Sequence, residues 1–204
     1  MGERTYFQPL TKEDKITVVL YRVGIFLSTV VISAAAVVGA MTVFGNYQMN
    51  VSSVTVGILL LVLYFSVGLS VFFIHLYVGK FHRILKKIYY AAVLGLIVLF
   101  FIGKGDPGGP IFGVPPYGSL LLIPLSLCLG FVAAKEAFCF RLIEGYILAA
   151  LMPAFILFYS VGVLNQRDAV FGLCLIAAML VLFMVRKIFM PIHFDIGDKS
   201  AYQP

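Results

Sequence analysis

The sequence predicts an all-α, polytopic membrane bundle of six transmembrane helices with both termini cytoplasmic. Three observations lead there. Of 204 residues, 62% are hydrophobic and 12% charged, whereas a soluble domain carries about 25% charged residues; the mean hydropathy is +1.05. The apolar residues gather into charge-free runs near the length that crosses a ~30 Å hydrocarbon layer. Lys and Arg crowd onto alternate connections between those runs, the pattern left when short basic loops stay in the cytoplasm.

The first run, Val23–Phe44, has 22 residues. That exceeds the ~7–15-residue core of a cleavable signal, and further runs follow, so it reads as a span. Gly24, Ser28, Ala36 and Ala40 repeat small residues along it, and Ser66 and Ser70 do the same in the second run, Val54–Val78. Small side chains let helix backbones approach closely, which predicts packing within the bundle. The second run shows none of the alternation of a barrel strand. The third, Ile88–Gly103, has only 16 residues. It either recruits Ile84 and Leu85 while Lys86 and Lys87 snorkel, or crosses partially.

Between Lys104 and Tyr117 the sequence KGDPGGPIFGVPPY predicts an extended or turning outer connection, because its prolines and glycines break regular helix. Its glycines neither follow a strand nor open a helix with Lys-Ser/Thr, so it is not a phosphate loop. The remaining spans are Gly118–Ala134, Gly145–Leu164 and Ala169–Val185, with Pro124 and Pro153 inside the fourth and fifth. The domain plan is a cytoplasmic N-terminal segment 1–22, a transmembrane domain 23–185 and a cytoplasmic tail 186–204.

Counting charges fixes direction. One side holds 13 of the 15 Lys and Arg residues, leaving Lys104 and Arg167 on the other; the acids divide seven to two, with Asp106 and Asp168 outside. The whole +6 net charge therefore lies on the inner side, where it meets anionic lipid head groups. One helix more or fewer would mix the sides. Nucleic-acid binding is not expected, since neither a basic domain nor interleaved aromatics are present.

Ionisable residues at or near membrane depth need partners, and they form the candidate site: Arg22, His75, His82, Arg83, Lys135, Glu136, Arg141 and Glu144, with Asp195, Asp198 and Lys199 of the tail. His75 and His82, seven apart, are expected on one face of a continuous helix. At 1.5 Å per residue they stand about 10.5 Å apart, too far to hold one metal. Arg141 and Glu144 are spaced to pair on one helical turn. Glu-x-x-His repeats of a di-metal carboxylate centre are absent, as are GxSxG and HExxH. Cys128, Cys139 and Cys174 are odd in number without CxxC spacing, so no disulfide framework is implied. No cofactor is expected.

Four strings carry a resemblance: Tyr21-Arg22-Val23-Gly24; His75-x-Tyr77 with His82-Arg83-x-Leu85; Lys135-Glu136-Ala137-Phe138-Cys139-Phe140 with Glu144; and Arg186-Lys187, Pro191 and Asp195-Ile196-Gly197-Asp198-Lys199-Ser200. In this order the chain resembles a family of small integral membrane proteins of unknown function, seen especially in cyanobacteria and chloroplasts and in some other bacteria. The resemblance implies no activity. It implies that any site is built on the inner face, where all four strings fall.

The leading expectation is a non-enzymatic protein whose cytoplasmic face docks a membrane protein partner or helps assemble a complex. A small-solute carrier or channel, with a cavity lined by Glu136, Arg141 and Arg22, is the alternative; a membrane redox or metal enzyme using His75, His82 or Glu136 is the third. The plasma membrane is the expected location, with a photosynthetic membrane the alternative.

Overall fold

A computed structural model describes residues 10–45, 51–76 and 78–196. The chain begins helix α1, Lys12–Phe44, at a reciprocal cap: the Thr11 side chain accepts from the Asp14 amide and the Asp14 carboxylate accepts from the Thr11 amide. The helix thus starts well before the charge-free run. Backbone hydrogen bonding does not stop where polar side chains begin, so a hydropathy boundary understates a helix that reaches out of the bilayer.

Helix α2, Ser53–Phe73, opens on the Ser52 cap and stops when Ile74 turns extended, with φ −66° and ψ 131°. Helix α3, Gly79–Ile102, then runs back alongside it. The antiparallel register shows in two bonds: Tyr89 Oη donates to the Tyr64 carbonyl at 2.9 Å, and His82 Nε2 lies 3.1 Å from the Val71 carbonyl. His75 accordingly sits in the turn and His82 in α3, not on one helical face. The uninterrupted apolar pattern hid the reversal. With 24 residues, α3 is long enough to cross. Lys86 lies within it with its ammonium 5.5 Å from the centre of the Phe72 ring.

The Gly/Pro connection is more regular than its composition predicts. Asp106 Oδ1 accepts from the Gly108 amide, opening the short helix α4, Gly108–Phe112. Pro110 falls in its first turn, where a missing N–H costs no intrahelical bond. A 3₁₀ turn, Tyr117–Leu122, leads into α5, Ile123–Phe140. Then come α6, Ile143–Ser160, with Pro153 inside it, α7, Gln166–Ile188, and the short α8, His193–Ile196.

Among the described residues there is no β-strand, and six helices are long and apolar enough to cross a membrane, the 3₁₀ turn and α5 counting as one. Helix α1 packs against α2 and α7, and α5 against α6. The small residues are at those seams: a Cβ on Gly24 would stand 2.4 Å from Ser70 Oγ and 2.5 Å from the Ser66 carbonyl, while Ser28 and Ser66 hydroxyls meet at 2.9 Å. Gly145 fits as tightly against the Ala133 carbonyl in the α5–α6 seam. Around the outside, Phe65, Leu94, Ile97, Phe101 and Leu182 are exposed, as side chains are where lipid is the solvent and each helix satisfies its own backbone.

Candidate functional site

The end of the bundle at which α1 begins and α8 lies, hereafter the basic end, carries a buried ionic cluster. Four elements build it. Helix α1 supplies Tyr21 and Arg22, α5 supplies Lys135 and Glu136, α7 supplies Lys187, and α8 supplies Asp195. Tyr21, Glu136 and Lys187 are at most 1% exposed, so each charge depends on the others for what water would have provided.

Glu136 is the hub. Its Oε1 accepts from Tyr21 Oη at 2.7 Å and from Lys135 Nζ at 2.7 Å, and Oε2 faces the Lys187 ammonium as an ion pair. Lys187 bridges from there to Asp195 Oδ1. Its ammonium also stands 4.3 Å from the centre of the Phe140 ring, within cation–π range. The ring offers its negative face to a cation that already has two carboxylates.

Arg22 completes the chain of contacts. Its Nε and Nη2 donate to Asp195 Oδ2 at 2.8 and 2.5 Å. Nη1 donates to the carbonyls of Ile188 at 3.1 Å and Met190 at 2.6 Å, and Nη2 to that of Pro191 at 3.2 Å. All five guanidinium donors are used. Ile188 ends α7, so Arg22 also serves carbonyls left without intrahelical partners and places positive charge at the negative end of the helix. One side chain thereby caps α7 and holds α8.

His75 is beside this cluster, in the turn between α2 and α3. Its Nε2 is 3.3 Å from Thr17 Oγ1, and its Nδ1 is buried without a hydrogen bond. Burial first, then the nearby Lys135 charge, lowers its pKa below the usual histidine value; Asp195 and Asp14 act the other way. The imidazole is held towards its neutral form.

Of the residues expected in the site, Arg22, Lys135, Glu136 and Asp195 come together, and His75 lies next to them. Others do not. Arg141 ends α5 in the left-handed region, φ 56°, and is exposed. That reversal of the chain carries it away from Glu144, which pairs instead with Arg186 Nη1 at 2.7 and 2.9 Å. The expected Arg141–Glu144 turn pair is therefore replaced by a bridge from α6 to α7. His82 is occupied with the α2 carbonyl, and Arg83 is exposed on α3. Asp198 and Lys199 lie outside the described residues.

Two members of the cluster were missed by reasoning from spacing. Tyr21 reads as an aromatic at a span end and Lys187 as a flanking charge. The available signal for Lys187 was its neighbour: adjacent helical residues point about 100° apart, so Arg186 and Lys187 face different surroundings. Among the described residues, no three His, Cys, Asp or Glu side chains gather as metal ligands. The cluster's chemistry is cohesive: both oxygens of each carboxylate are engaged by cations or hydroxyl.

Comparison with known proteins agrees with this outline. An uncharacterized protein of Haemophilus influenzae is 40% identical over 98 residues, which is 47% of this chain and 55% of that protein. The chain thus spans about half the length of the curated relative it matches. No solved structure matches. A family model described as uncharacterized integral membrane protein, DUF2301, matches residues 69–203, a stretch running from α2 through Lys135, Glu136, Lys187 and Asp195, and the chain belongs to that family of integral membrane proteins.

Proposed function

We propose that this is a non-enzymatic membrane protein that docks a partner membrane protein through its basic end, with α8 as the pinned base of the recognition surface. In this reading both termini are cytoplasmic and the protein resides in the plasma membrane, or in a photosynthetic membrane where the host has one. The observation that carries it is the saturation of the cluster. Arg22 and Lys187 both pair with Asp195 and so hold a four-residue helix on the bundle, and so short a helix gains nothing by itself from being held. Fixing it gives a partner a rigid surface, which lowers the ordering cost of association. The basic connections around it supply charge to steer a partner with an acidic face.

Native purification of the tagged full chain and of a chain lacking residues 192–204 tests the reading. The shortened chain is expected to insert normally and lose its co-purifying membrane proteins. An identical partner list from both would overturn it.

Glu136, a buried acid within a span, favours a second reading, a small-solute carrier working through the same cluster. Proteoliposomes on a solid-supported membrane separate the two. Docking predicts no current on jumps of pH, sodium or potassium; a carrier predicts a current that Glu136→Gln removes.

A further inference from the structure

Outside the cluster, one cavity joins an apolar wall to unpaired positive charge. It is a groove of about 480 Å³ between α2 and α3, lined by Phe65, Gly68, Leu69, Phe72, Phe73 and Tyr89. Gly68 is what lets it form. A Cβ there would stand 2.4 Å from Tyr89 Oη, so a larger residue would expel the tyrosine whose hydroxyl bonds the Tyr64 carbonyl. From Phe73 to Phe65 the groove follows α2 for eight residues, about 12 Å at 1.5 Å per residue. It runs from the basic end inward along the outer surface of the bundle.

At the mouth of the groove stands Lys86, with its ammonium 5.5 Å from the centre of the Phe72 ring. Phe72 also meets Tyr89 and Tyr90 edge-on, at 5.6 and 6.2 Å. Lys86 is three and four residues before those tyrosines, hence on their face of α3, and Arg83 is one turn before it. No Asp or Glu occurs anywhere from residue 15 to residue 105. Among the described residues Lys80, Arg83, Lys86 and Lys87 accordingly form no ion pair. The buried cations of the basic end, Arg22, Lys135 and Lys187, by contrast have carboxylates within the protein.

An apolar channel at membrane depth, aromatic at its upper wall and closed by a cation without a protein counter-ion, matches one class of molecule. We propose that the α2–α3 groove binds an anionic glycerophospholipid, one acyl chain lying along Leu69 and Phe65 and the phosphate meeting Lys86, with Arg83 and Lys87 beside it. A zwitterionic lipid would fill the same channel, but its ammonium would offset the attraction of its phosphate for Lys86. The preference is therefore charge-dependent and local.

The chain contains no tryptophan, so a Leu69→Trp reporter would be its sole indole. The full-length protein is placed in bilayers holding equal mole fractions of brominated phosphatidylglycerol or brominated phosphatidylcholine, and quenching of that indole is read. Quenching is expected to favour the glycerol lipid roughly fivefold in apparent affinity, the factor that one basic side chain near an anionic surface supplies. Lys86→Ala should bring the two lipids level, while Lys12→Ala, at an exposed position on α1, should leave the preference intact. Equal quenching, a preference that survives Lys86→Ala, or equal loss in the Lys12→Ala protein would overturn the proposal, the last by showing diffuse attraction only. Native mass spectrometry of the protein with its own Leu69 makes the same comparison independently of the reporter: retained phosphatidylglycerol should fall with Lys86→Ala and not with Lys12→Ala.

Discussion

Glu136 collects a tyrosine hydroxyl and two ammonium groups on one carboxylate, and the consequence of removing it is lopsided. Glu136→Ala leaves Lys135 and Lys187 buried beside Tyr21 with one fewer anion, a change of the kind that costs about 3–5 kcal/mol. The paired variant Glu136→Leu with Lys187→Met removes both ends of the contact and should lose clearly less than the sum of the single changes. Thermal unfolding in detergent checks this, and additivity would show that the residues are not coupled. His75 supplies a second test at this scale. Its folded pKa is lowered chiefly by burial, so the unfolded chain holds the proton more tightly. The stabilising contribution of the neutral ring is fully present above the ordinary value, about 6.5, and is lost as the pH falls through the lower folded value. Melting temperature should therefore decline with acidification below about pH 6, and His75→Gln should flatten that part of the profile. A profile unchanged by the substitution would contradict it.

The seams between helices set the scale above. Gly24 and Gly145 face backbone carbonyls at distances no Cβ can occupy, 2.5 Å from Ser66 O and 2.4 Å from Ala133 O. Gly24→Ala and Gly145→Ala should each destabilise the bundle by roughly 1–3 kcal/mol through forced separation of helices. Gly57→Ala is the control. A Cβ there meets only Phe100 and Pro107 side chains, at 3.6 Å and beyond, so the helix preference of alanine makes it neutral or mildly stabilising. Equal melting shifts for the three variants would refute the seam argument. The α1–α2 contact was legible in the sequence because small residues recur at helical spacing. The break after Phe73 was not, because Leu76 and Val78 continue the apolar composition of α2, and His75 between them and the helix adds no fixed charge, while the backbone turns extended at Ile74. The cluster was half legible for a related reason. Glu136 and Arg22 declare themselves as charges at span ends, but apart from Lys135 their partners lie on other elements: Arg22 finds Asp195 across 173 residues, a separation over which no periodicity operates. Arg141 and Glu144 misled in the opposite way, being well spaced for a helix that ends between them.

Across the whole molecule the charge distribution makes the two ends of the bundle different surfaces. The basic end carries the cluster, α8 and the lysine-rich start of α3; the other end carries α4 and the 3₁₀ turn. If the basic end is cytoplasmic, a cysteine at the exposed Lys12 should be protected from an impermeant maleimide in intact cells, and one at the exposed Arg167 should react, in a background without Cys128, Cys139 and Cys174. Labelling of Lys12→Cys from outside would reverse the orientation. In the proposed docking role, the ionic contacts of α8 hold a recognition surface in place. Quantitative recovery of membrane proteins with the full-length Asp195→Asn chain tests it most directly, since that change weakens the contacts of Arg22 and Lys187 while keeping the shape of the residue. Docking through α8 implies at least tenfold lower partner recovery with the bundle still inserted and folded; recovery equal to that of the unaltered protein would rule it out.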